Sequence, residues 1–188
     1  MRILAILVTA LFLISAIAAA FNTAPVAATP SNLVGWWHFD DRYETIAKDE
    51  TGGNDGTLMN MDPATDWVSG KFGYALDFDW TDDYVATGNE GTFDFDSDDA
   101  FTLEAWVKTS STGILDIISK MDNEVPNIGY QFIKHGTAED NKLFFFLINI
   151  FPSEMIRVQG STPIADGLWH HVAVTYDGTG IASTGVKI

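Results

Sequence analysis

After residue 21 no segment of this chain sustains a helical hydrophobic period; short β-branched and aromatic runs follow one another instead, with Gly, Asn, Asp or Pro between most of them. Short strands at that spacing confine the chain to an all-β sandwich or barrel. Runs at 33–39, 74–78, 84–87, 114–119, 130–134, 143–150 and 155–159 read as strands. The run 101–108 alternates cleanly, with Phe101, Leu103, Ala105 and Val107 on one face and Thr102, Glu104, Trp106 and Lys108 on the other. Leu168, His170, Val172, Val174 and Tyr176 share a strand face opposite Trp169, His171, Ala173 and Thr175, so both faces should be partly covered. Asp177-Gly178 then supplies a turn in which Gly tolerates positive φ. Phe144-Phe145-Phe146-Leu147-Ile148 lacks alternation and should be covered on both faces.

With 188 residues, 46% of them hydrophobic and 13% aromatic, the chain can core one domain. Its 26 acidic and 10 basic residues give a net charge of −16, which disfavours nucleic acid or an anionic membrane surface as an electrostatic partner. Cations, neutral glycans and proteins remain. The absence of cysteine excludes a disulfide framework and a thiolate metal site.

The N-terminus reads as an export signal over 1–20: Arg2 precedes an apolar stretch at 3–17, and Ala18-Ala19-Ala20 offers small residues that a signal peptidase accepts. A second acceptable cut lies after Ala28. An uncleaved anchor is the alternative, because 3–20 sits at the short end of the roughly 17–25 residues a membrane helix needs. Residues 21–32, rich in Ala, Thr and Pro, read as a linker, and 33–188 as one domain.

Six blocks in that domain occur in a telling order. They are Leu33-Val34-Gly35-Trp36-Trp37-His38-Phe39-Asp40; Asp49-Glu50-Thr51-Gly52-Gly53-Asn54-Asp55-Gly56-Thr57-Leu58; and Gly73-Tyr74-Ala75-Leu76-Asp77-Phe78. Asp82-Asp83-Tyr84-Val85, the 101–108 strand and the stretch 166–178 around Trp169-His170-His171 follow. Together they resemble the laminin-G-like jelly-roll branch of the concanavalin A-like lectin/glucanase superfamily, over 33–188. The resemblance implies two antiparallel sheets packed as a jelly-roll sandwich. Members of this branch usually continue past the position of Ile188 with a Tyr-Val-Asp-Gly hairpin and further strands, so the domain reads as C-terminally incomplete. Trp80 is a second departure, standing where the family often has Gly before the Asp-Asp pair.

The implied function is a secreted or cell-surface, non-catalytic binding module for carbohydrate, with a protein-binding adhesion or scaffold module of a larger surface protein as the alternative. A glucanase is the third reading. Glucanase relatives carry Glu-x-Asp-x-Glu on one strand, and retaining enzymes need two carboxylates about 5–5.5 Å apart. This chain lacks that sequence; Asp77-Phe78-Asp79 and Asp94-Phe95-Asp96-Ser97-Asp98 have same-face spacing without Glu partners and read as surface charge.

Sugar stacking requires exposed aromatic faces, and Trp67, Trp80 and Phe151 lie near loops. Calcium is the cofactor the composition suits, since it takes oxygen ligands and Asp and Asn gather at the Gly turns. The resemblance points to Asp40 and Asp49 with the Asn54-Asp55 turn, where related sandwiches hold an ion that pins the N-terminal segment. Asp122-Asn123-Glu124 is the alternative set, placed like the calcium-binding Asp-Asn pair of the similar pentraxins. An Asp/Asn turn needs no ion to explain it, because these side chains also bond their own backbone. His170 and His171 point to opposite strand faces and cannot chelate one ion together. The Gly-rich 52–56 precedes no helix and has no lysine, so it is not a phosphate loop.

Overall fold

The computed structural model describes residues 2–9, 32–122, 128–150 and 153–188. In chain order the strands are β1 Arg2–Thr9, β2 Leu33–Trp37, β3 Ile46–Ala47, β4 Gly56–Met59, β5 Trp67–Ser69, β6 Tyr74–Asp77 and β7 Tyr84–Thr87. They continue as β8 Ala100–Lys108, β9 Leu115–Met121, β10 Gly129–Lys134, β11 Lys142–Ile150, β12 Glu154–Pro163, β13 Trp169–Asp177 and β14 Val186–Lys187. A 3-10 turn at Glu90–Phe93 joins β7 to β8.

One sheet runs β14-β13-β8-β1-β6-β5, with β2 also paired to β1. The facing layer is in two pieces, β12-β11-β10-β9 and β3-β4-β7. Every pairing is antiparallel. This is the all-β jelly-roll sandwich that the resemblance implied, one of the two classes, sandwich or barrel, to which the strand pattern confined the chain.

Phe101, Leu103, Ala105 and Val107 of β8 are all buried, as are Val172, Val174 and Tyr176 of β13, which sit beside them in register. Phe101 crosses the core to Tyr130 of β10 and Phe145 of β11, with ring centroids 5.3 and 6.0 Å away. Phe145 and Leu147 face this core, while Phe144 is equally buried on the other side, under Arg157 at 4.6 Å and beside His135. The unalternating run in β11 is therefore covered on both faces.

The turn after β13 is closed by its own residues. Tyr176 Oη donates to the Ser97 carbonyl and accepts from Gly180 N–H at 2.8 Å, while Asp177 accepts from Thr179 N–H and Oγ1. Gly178 has φ +77°, and a Cβ there would lie 2.5 Å from the Asp98 carbonyl oxygen. Both the backbone conformation and the lack of space demand glycine.

β1 is the fold's unexpected element. It lies antiparallel to β8 along its length, from Arg2 opposite Lys108 to Thr9 opposite Thr102, and its other edge pairs β6 and then β2. The segment is rich in Ile, Leu and Val, so the apolar stretch read as an export signal can serve equally as a strand paired on both edges. The rest of that stretch, both cut sites and nearly all of the linker fall in 10–31, outside the described residues.

Candidate functional site

The turn at 49–55 is built around one carboxylate. Asp49 is 4% exposed. Its Oδ1 accepts from the backbone N–H groups of Trp36 at 2.8 Å and Thr51 at 3.0 Å. Its Oδ2 accepts from Thr51 Oγ1, Gly53 N–H, Asn54 N–H and Asn54 Nδ2, at 2.5–3.3 Å. Burial pushes the Asp49 pKa up, but the donors from Thr51, Trp36 and Gly53 outweigh it and hold the group below the usual carboxylate range. Asn54 Nδ2 also donates to the Val34 carbonyl, and the Asn54 carbonyl accepts from Trp37 Nε1 at 3.0 Å. Asp55 Oδ1 is taken by the Asp49 N–H at 2.9 Å.

The structure thus brings Asp49, Asn54 and Asp55 together and leaves Asp40 elsewhere, accepting from Tyr74 N–H at 2.7 Å beside Gly73. The four do not fit a calcium ion. A cation needs lone pairs aimed at a common point, and both Asp49 oxygens already face protein donors. The turn is a lock between β2 and β4. In the alternative set, Asn123 and Glu124 lie outside the described residues, and the Asp122 N–H bonds the Ile128 carbonyl.

Acidic groups converge elsewhere. Among the described residues, Asp79, Asp82 and Asp83 bring carboxylate oxygens within 4.8 Å of one another. They sit on the loop between β6 and β7, folded back on itself: Asp79 Oδ1 accepts from Thr81 N–H at 2.7 Å and Asp83 Oδ2 from Asp79 N–H at 2.8 Å. Asn60 Nδ2 holds the Asp82 carbonyl from β4's end at 2.9 Å. The Thr81 N–H holds Asp79 below the usual carboxylate range, whereas burial, followed by the charges of Asp79, Asp66 and Asp82, raises Asp83 despite its bond from Asp79 N–H. The three carboxylates are an oxygen-donor set of the kind hard cations take.

Trp80 stands in the same loop at φ +78°, 49% exposed. A left-handed backbone costs a non-glycine residue about 1–2 kcal/mol, and here it lifts an indole into solvent. Tyr84, at the start of β7, is exposed to the same degree, and Ile114 stands across from both. These three, with Asp82, Asp83 and Asp116, rim a cavity of about 480 Å³. The other aromatic candidates part ways. Trp67 is buried in the core, with Nε1 donating to the Glu44 carbonyl at 2.9 Å, and presents no face to solvent. Phe151 lies outside the described residues. Asp82, Asp83, Tyr84 and Ile114 were missed by the sequence reading; three aspartates within five residues, with a Trp among them and a Tyr directly after, were the available signal.

The histidines serve packing and pairing. His170 Nε2 lies 2.8 Å from Asp166 Oδ1, and His171, on the opposite face, lies 3.4 Å from Glu104 Oε2 and beside the Trp106 ring. Burial raises the Glu104 pKa, partly offset by His171. His38 packs edge-on against Trp36.

A family profile described as the concanavalin A-like lectin/glucanases superfamily, of laminin G type, matches residues 79–184, more than half of the chain. The match begins in the carboxylate loop and spans β7 to β13. No curated protein and no solved structure matches the chain. With the two-layer antiparallel sandwich, this extent of match means that the chain belongs to the concanavalin A-like lectin/glucanase superfamily, in its laminin G branch.

Proposed function

We propose that the protein is a non-catalytic carbohydrate-binding module, exported to the cell surface or the medium, whose glycan site is the loop at 79–83 with Tyr84. The observation that carries this reading is the pairing of an indole lifted into solvent at Trp80 with a second half-exposed ring at Tyr84, on the rim of a cavity edged by carboxylates. Sugar rings present apolar C–H faces that stack on such aromatics and hydroxyls that donate to such carboxylates. The net charge of −16 favours neutral or cation-bridged glycans over anionic ones. Calcium is the cofactor this reading implies, held by Asp79, Asp82 and Asp83, where it would fix the carboxylates and offer a site for sugar hydroxyls.

Residues 33–188 are read as the binding domain, behind a leader at 1–20 and a linker at 21–32. Among the described residues no helix is long and apolar enough to cross a membrane. A hydrolytic role has less support, because the shifted carboxylates Asp79 and Asp83 are bonded into each other's turn.

A glycan array probed with the full chain, followed by calorimetry on any hit, tests the reading. Saturable binding should weaken at least about tenfold in Trp80→Ala, the scale of one lost stacking contact, while the unfolding temperature stays put. Absence of binding by folded protein, or full binding by Trp80→Ala, would sink it. Titration with calcium should release or absorb heat in the parent and none in the Asp82→Asn/Asp83→Asn double variant.

A further inference from the structure

The crossing from β4, in the split layer, to β5, in the continuous sheet, turns at Asp62-Pro63, and that peptide bond carries its own nucleophile. Asp62 Oδ1 accepts from Ala64 N–H at 2.9 Å. The bond closes a ring of atoms through the Asp62 carbonyl carbon, so the carboxylate is held beside the carbon that joins Asp62 to Pro63. The oxygen on this carbon accepts from two N–H groups, those of Thr65 at 3.0 Å and Asp66 at 2.9 Å. Donors so placed stabilise the negative charge that develops when the carbon turns tetrahedral. Asp66 in turn takes the Asp62 N–H at 2.7 Å and Thr65 Oγ1 at 2.9 Å, which fixes the turn from both ends. Pro63 contributes an amide nitrogen with no N–H of its own, and Asp62, Ala64 and Thr65 are exposed, so water and its protons reach the bond. An Asp cap before Pro is an ordinary way to start a helical turn. Here the bonds that start the turn also bring nucleophile and oxyanion donors onto one peptide bond.

We propose that the Asp62-Pro63 bond is a self-processing site, cut in mild acid by the Asp62 carboxylate. A side-chain oxygen of Asp62 attacks its own carbonyl carbon, and the new C–O bond closes a five-membered cyclic anhydride. The C–N bond to Pro63 breaks; Pro63 N keeps that electron pair and takes a proton from solvent. Water then opens the anhydride, leaving two carboxyl groups on Asp62 and a free amine on Pro63, so the net change is hydrolysis. Asp66 is a positioning residue: it is the charged neighbour in the same turn, and its charge also reaches Asp83 on the next loop. A cut leaves both pieces seated, because β4 still pairs β7 and β1 still pairs β8 across the break. What it releases is the tie between the layers, two residues from Asn60, whose Nδ2 holds the Asp82 carbonyl. The inference does not rest on the glycan reading.

The test incubates the folded full chain at pH 5 and at pH 7, without sugar or calcium, and weighs the denatured products by mass spectrometry. A peptide of residues 58–67, which has the same bond without the fold, is the comparison. Two fragments should appear, one ending at Asp62 and one beginning at Pro63, faster at pH 5 than at pH 7. The folded chain should be cut at least about tenfold faster than the peptide, since the fold holds the nucleophile at the carbon and the donors at the oxygen. Asp62→Asn keeps an acceptor for Ala64 N–H and withdraws the carboxylate, so it should retain the parent's unfolding temperature and lose the cut. Three results overturn the proposal: a folded chain cut no faster than the peptide, which would leave only the ordinary acid lability of the bond; a cut in Asp62→Asn at the parent rate; or a rate constant that rises with protein concentration, which would make the cut intermolecular.

Discussion

Two aspartate-rich turns of this protein, 49–55 and 79–83, look alike in composition and have opposite fates. At 49–55 a single buried carboxylate collects donors from Trp36, Thr51, Gly53 and Asn54. At 79–83 three carboxylates crowd together at the surface, with two turn N–H groups between them. The difference lies in the supply of donors. A carboxylate ringed by backbone N–H groups completes the fold and is closed to solutes; carboxylates that face one another carry repulsion that an incoming cation or hydroxyl donor would relieve.

The largest break in this comparison should come from Asp49→Ala. It orphans buried donors of four residues, so urea unfolding should show a loss of about 3 kcal/mol or more, with a fall in Tm of roughly 6–12 °C. A loss below about 1 kcal/mol would contradict the lock. Acid sharpens the same point. Asp49 has its pKa depressed in the fold, so its stabilising effect is full above the ordinary carboxylate value near 4 and disappears as pH falls through the lower folded value. Unfolding of the parent followed from pH 6 downward should show this component, and Asp49→Asn should lack it.

Trp80→Ala should move stability by less than about 1 kcal/mol, since the indole is half-exposed and alanine keeps the Cβ on which the cost of the left-handed backbone depends. Its effect belongs to the glycan titration. Smallest of all, Asp83→Asn should raise Tm slightly in calcium-free buffer. Asp83 is raised in the fold, so the folded state holds its proton more tightly than the unfolded one, and stability declines as pH rises from the ordinary carboxylate value through the raised one. The amide removes that decline and retains an acceptor for Asp79 N–H. A drop in Tm instead would assign the loop a structural role like that of 49–55.

Period-2 alternation made β8 and β13 legible in sequence, because burial on one strand face depends only on side-chain parity. The opposed environments of His170 and His171 follow from the same parity. Donor supply at a turn was not legible. The Asp49 lock depends on Trp36 N–H and the Val34 carbonyl, thirteen or more residues away, and no local pattern reports such contacts. Trp67 and Trp80 illustrate the same limit: both border turns, yet a tertiary acceptor at Glu44 draws one inward and a left-handed backbone turns the other out. The short β3, β4 and β5 carry too few residues to show a period. β1 was hidden for another reason, since an apolar run paired on both edges has the same composition as one destined for a membrane.

β1 also imposes an order of events. Its partner β8 runs to Lys108, opposite Arg2, so the seat for residues 2–9 does not exist until about a hundred residues have been made. At synthesis rates of about 5–20 residues per second that interval is roughly 5–20 s. Throughout it the N-terminal segment is free to be bound by whatever reads it first, and closure of the long loop to β8 comes late and slowly. The fate of residues 2–9 is thus a race between capture of a nascent N-terminus and completion of a sheet.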